Sequence, residues 1–135
     1  SVGHHVIAYQ EAQIRAHHYE TADKRLGYMT KTMKALGCEE LLPETLRLRG
    51  ICSLRGNKMN VPEAESYFQQ SLEEAQKHKN KVWELRTSIS LANLWNDRNE
   101  RRKAQDFLLP IYDSYTEGLG SPLMQKAKNL LRQMG

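Results

Sequence analysis

Residues 82–115 read VWELRTSISLANLWNDRNERRKAQDFLLPIYDSY, and the spacing within them decides the fold. Val82, Leu85, Ile89, Ala92 and Trp95 recur at steps of three and four. Asp97-Arg98-Asn99 interrupts, and Ala104, Phe107, Leu108, Ile111 and Tyr115 resume the same steps. Such spacing gathers apolar side chains on one face of a helix. The stretch therefore predicts two helices with facing apolar stripes, turning at Asn99, a residue suited to a left-handed position. Pro110 falls inside the second helix, where it removes a backbone hydrogen bond and is expected to bend it.

The same design extends outward in both directions. On the N-terminal side, Ala64, Tyr67, Phe68, Ser71, Leu72 and Ala75 predict a fourth helix opening at Pro62 and fraying into the basic run Lys77 to Lys81. Before it, Leu42, Leu46, Leu48, Gly50, Ile51 and Ser53 predict a third helix over about 40–54, with Pro43 tolerable only in its first turn. A connection from Arg55 to Val61 joins the two. Ala22, Leu26, Met29, Met33 and Leu36 predict a second helix from Tyr19, closed by Gly37 in a left-handed cap. Val6, Tyr9, Ala12 and Ala16, flanked by Ile7 and Ile14, predict a first helix ending near His17-His18; with nothing before it, Ile7, Tyr9 and Ile14 are expected to stay partly bare. On the C-terminal side, Ser121-Pro122 reads as an N-cap and first-turn proline, opening a seventh helix on Leu123, Ala127, Leu130, Leu131 and Met134.

Composition limits what this array can be. A chain of 135 residues that is 39% hydrophobic can bury one continuous core, so one domain is expected over 1–135. The charge of +4 comes from 20 basic and 16 acidic residues interspersed along the chain, which permits anionic partners without requiring them. Cys38 and Cys52 read as reduced thiols of a cytoplasmic protein. No apolar run reaches the ~20 residues that a membrane span needs, so no membrane partner is expected.

Anchoring on the second helix of each pair exposes the repeat. Ala22, Ala64 and Ala104 are each followed four residues later by a large apolar residue, Leu26, Phe68 and Leu108. The small residue lets paired helices approach; the large one fills the space between neighbouring pairs. At these residues the chain resembles the tetratricopeptide repeat family. Leu91-Ala92, Trp95, Ala104 and Leu108 match best; Gly50, Ala64 and Phe68 form a second set; Tyr19, Ala22 and Leu26 form a third, with Gln10 where the family has glycine. The resemblance implies an all-α, right-handed stack of antiparallel helix hairpins with about seven helices. Its repeats would span about 4–37, 40–79 and 81–117, followed by a capping helix at about 121–134. More narrowly, Trp83-Glu84-Leu85-Arg86, Ser90 to Trp95, Leu108 to Tyr112 and Tyr115 to Gly118 are similar to the C-terminal repeat region of large bacterial regulators. Those couple a predicted ATPase to a cyclase-like or DNA-binding domain, and the likeness implies that this chain is a fragment of such a protein.

Function follows from surfaces more than from chemistry. No phosphate-binding loop, nucleophile elbow or dinucleotide motif is present, and no enzyme activity, cofactor or metal site is expected. Adjacent histidines such as His17-His18 point in different directions on a helix, so they do not suggest a metal. The family resemblance implies a concave face lined by the first helix of each pair. Its groove positions fall on Arg15, Glu44, Arg47, Arg55, Arg86, Asn93 and Asp97, and the arginines favour a protein or peptide partner of acidic character. Leu48 and Ser90 stand where the family's carboxylate clamp needs an amide and a cation. Two other partners are considered. The basic turn Arg98, Arg101, Arg102 and Lys103 offers phosphate contacts to nucleic acid, diluted by Asp97, Glu100 and Asp106 and with no interleaved aromatic. The first helices offer a face for self-association.

Overall fold

The computed structural model describes residues 2–57 and 59–135, with side chains from residue 4 onward. These residues form seven α-helices: α1 Val2–Arg15, α2 Tyr19–Leu36, α3 Leu42–Arg55, α4 Val61–Lys77, α5 Lys81–Asp97, α6 Arg101–Asp113 and α7 Pro122–Met134. The chain is all-α, as the periodicity predicts. Each helix touches the next. The odd-numbered helices also touch one another, α1 to α3, α3 to α5 and α5 to α7, whereas α2, α4 and α6 do not. An inner row of odd helices is thus backed by an outer row of even ones.

Burial follows from that placement. The inner helices α3 and α5 are buried on several sides, from Leu42 to Ser53 and from Leu85 to Trp95, because each has neighbours before, after and behind it. The outer α4 and α6 bury single stripes, Ala64, Phe68, Ser71, Leu72 and Ala75 in one and Ala104 and Leu108 in the other. Where α3 crosses α4, Gly50 lies against the Phe68 ring; a Cβ there would stand 2.5 Å from Phe68 Cε1. Glycine is required at this point by contact, not by backbone angle. Between three of the helices the interior holds a chain of hydroxyls: Ser71 Oγ donates to the Pro43 carbonyl at 2.6 Å, which leaves Thr87 Oγ1 as donor in the 2.7 Å bond between the two hydroxyls. That chain ties α3, α4 and α5 at one point.

Four of the helices end in one motif. At Gln13–His18, Met33–Cys38, Ala75–Asn80 and Trp95–Glu100, a left-handed residue donates its N–H to the carbonyl three back, and the next residue donates to the carbonyl five back. The left-handed residues are His17, Gly37, Lys79 and Asn99. Two asparagines, Asn60 and Asn80, then cap α4 and α5 by accepting from Glu63 N and Trp83 N, and Ser121 caps α7 as expected.

Several expectations need correction. Ile7 and Ile14 are buried, because α1 packs on α2 and also reaches α3, so of the three apolar residues only Tyr9 stays exposed. Val82 and Leu36 lie on the predicted stripes yet are exposed, Val82 in the first turn of α5 and Leu36 as the last residue of α2. The first helix ends at Arg15, two residues short of His17. The sixth ends at Asp113, three residues beyond Pro110, and Tyr115 folds back so that its hydroxyl donates to the Lys81 carbonyl.

Candidate functional site: a groove across the inner helices

A groove of about 660 Å³ runs across the inner row. Its apolar floor comes from Ile51 and Leu54 of α3, Ile89 of α5, and Leu123 and Leu130 of α7. These residues can face a groove because their helices also bury other faces: each inner helix spends one side on its hairpin partner and leaves this side to the row. Around the floor stand Arg47 and Arg55 from α3, Arg86 and Asn93 from α5, Asp97 and Arg98 at the end of α5, and Lys126 from α7.

One carboxylate organises two of these cations. Glu44 is 4% exposed and lies beneath the groove. Its Oε1 accepts from Arg47 Nε at 2.6 Å and its Oε2 from Arg86 Nη1 at 2.6 Å. Arg47 Nη1 also donates to Ser90 Oγ at 3.4 Å. Charge-assisted bonds of this length hold both guanidinium planes in place. Arg47 and Arg86 are therefore fixed rather than free to swing toward a partner, with Arg86 still 40% exposed. Counting Glu44, five cations face two carboxylates, so the groove is electropositive.

The expected residues divide clearly. Arg47, Arg55, Arg86, Asn93 and Asp97 line the groove, and Glu44 supports it. Arg15 is not part of it: it sits exposed at the end of α1, 3.9 Å from Glu11. The basic turn does not act as one cluster. Arg98 faces the groove, Arg101 and Arg102 are exposed at the start of α6, and Lys103 lies 4.4 Å from the centre of the Trp95 ring and 3.5 Å from Glu100. Trp95 is thus an aromatic neighbour that the sequence reading did not place beside this turn; its Nε1 donates to Glu65 Oε2 at 3.0 Å, and its ring meets Phe107 edge-on. The sequence reading also missed the α7 wall, Lys126, Asn129 and Gln133. Their steps of three and four, on the face beside the apolar stripe, were the available signal.

Comparison with known proteins adds no relative: no family model, no curated protein and no solved structure matches the chain. Among the described residues, no helix is long and apolar enough to cross a membrane.

Proposed function

We propose that the chain is a non-catalytic interaction module, a tetratricopeptide-like solenoid of three helix hairpins and a closing helix, whose groove binds an acidic protein or peptide segment. In this reading it serves as a scaffold or sensor within a larger cytoplasmic signalling or transcriptional regulator. The observation that carries the proposal is the convergence of five residues, chosen from the family's groove positions, on one electropositive groove with an apolar floor. An occupant with apolar side chains on one face and carboxylates beside them would satisfy both features. The basic turn at α6 favours nucleic acid less, since Arg98 and Lys103 are directed to different surroundings.

The test is a binding titration by fluorescence anisotropy, using an acidic amphipathic peptide, its lysine-substituted counterpart and duplex DNA. The acidic peptide should bind, and Arg55→Glu/Arg98→Glu/Lys126→Glu should weaken it at least tenfold, since rim charges contribute about 0.2–1 kcal/mol each and reversal adds repulsion. Equal binding of both peptides would refute the electrostatic reading. DNA binding alone, with a steep salt dependence, would move the site to the basic turn.

A further inference from the structure

Away from the groove, three side chains with metal-ligating atoms meet where the α2–α3 connection crosses the end of α4. Glu74 lies in the last turn of α4 and His78, four residues on, is the residue that caps its C-terminus. Glu39 reaches them from the residues that follow the Gly37 cap. His78 Nε2 stands 3.6 Å from Glu74 Oε2 and 4.0 Å from Glu39 Oε2, and the three atoms all lie within 4.8 Å of one another. Both separations from His78 exceed a hydrogen bond. They approach the edge of a tetrahedral coordination sphere, in which ligands about 2.0–2.1 Å from the metal lie about 3.4 Å apart.

A second observation is independent of that convergence. Glu74 Oε2 is shut off from solvent and accepts no hydrogen bond; among the described residues, only Gln10 Oε1 shares that condition. A shielded carboxylate oxygen without a donor is costly, and a cation at the centre of the cluster would satisfy it. We propose that Glu39, Glu74 and His78 bind a divalent cation of the Zn²⁺ class. One imidazole nitrogen and two carboxylate oxygens suit such a borderline ion, with water completing the sphere. The ion joins the α2–α3 connection to α4 and so clamps the first helix pair to the second. Lys77 Nζ lies 3.3 Å from Glu39 Oε2 and competes with the ion for that carboxylate.

The experiment is a calorimetric titration of the chelator-treated chain with Zn²⁺, paralleled by Co²⁺ absorption and by NMR observation of the His78 ring. One equivalent should bind, with the His78 resonances among those that move. His78→Ala and Glu74→Gln should each weaken binding at least about tenfold, and Lys77→Met should tighten it. Absence of one-equivalent binding would overturn the proposal, as would binding that survives His78→Ala, which would assign the ion to the other histidines. Should a variant lose its helical circular dichroism, the His78 signals of the unaltered chain decide: Co²⁺ must broaden them first, and broadening that begins at His17 or His18 counts against the site.

Discussion

Replacing Gly50 by alanine probes a close contact between α3 and α4. The added Cβ would lie 2.5, 2.8 and 2.9 Å from three ring carbons of Phe68, whereas carbon atoms prefer about 3.5–4.0 Å. The overlap is therefore about 1 Å. Phe68 is 1% exposed, so α3 and α4 must separate or the ring must leave its rotamer. Overpacking of this kind costs about 1–3 kcal/mol. Alanine recovers about 1 kcal/mol of helix propensity over glycine, so the net expectation is a loss of up to about 2 kcal/mol. Gly27, also inside a helix, provides the control: a Cβ there meets only the flexible end of Arg49, at 3.2 Å, so Gly27→Ala should be neutral or stabilising by up to about 1 kcal/mol. Urea unfolding followed by circular dichroism at 222 nm measures both. In a Phe68→Leu background, which removes the ring, most of the Gly50→Ala penalty should vanish, a coupling of about 1 kcal/mol. If Gly50→Ala stabilises the chain as Gly27→Ala does, the close approach of α3 and α4 is refuted.

Other predictions concern buried polar and titrating groups. Glu44→Ala leaves Arg47 and Arg86 without their shared carboxylate and should cost about 1–3 kcal/mol by the same unfolding assay, less than a fully buried ion pair because Arg86 is partly exposed; a loss below the error of the measurement would mean that the pairing does not organise the groove. Gln10→Met removes the unpartnered Oε1 from the α1 interior and should stabilise by about 1 kcal/mol, read as a raised melting temperature. Burial pushes the Cys52 thiol up from 9.0 to about 12 and the Tyr115 phenol up from 10.0 to about 12. Both hold their protons in the folded chain beyond the pH at which the unfolded chain releases them. Stability should therefore be fully present below about pH 9 and fall between 9 and 12, by up to about 1.4 kcal/mol per pH unit for buried Cys52 and by less for Tyr115, whose partial exposure screens it; urea midpoints that stay constant across that range would contradict the burial of Cys52. In line with this, a thiol reagent at pH 8 should modify exposed Cys38 quickly and Cys52 only after unfolding.

The helices were legible because each keeps a three-and-four-residue rhythm, and the ends because Gly37, Asn99 and Ser121 carry local conformational signals. Lys79 and His17 take the same left-handed position without a residue type that announces it; the motif's two backbone bonds at each site hold them there. Asn60 and Asn80 read as loop residues, although each lies just before a helix and caps it. The groove was partly legible. Positions 47, 55, 86, 93 and 97 emerge from a repeat pattern, but the fixing of Arg47 and Arg86 by one carboxylate depends on a contact 42 residues apart between α3 and α5, which no local spacing encodes. The same limit hid the meeting of Glu39 with Glu74 and His78: the pair at the end of α4 has a readable spacing of four, and the third member arrives from another element. Burial of Ile7 and Ile14 was missed because a helix at one end of a row was taken to lack cover, whereas α2 and α3 together supply it.

The central claim is that the inner row binds an acidic segment, and NMR mapping of the isotope-labelled chain against an acidic amphipathic peptide tests it most directly. Amide shifts should change at Ile51, Ser90, Asn93 and Asn129, which belong to three different helices and meet only in the groove. Changes confined to Arg101, Arg102 and Lys103, with the groove residues still, would contradict it.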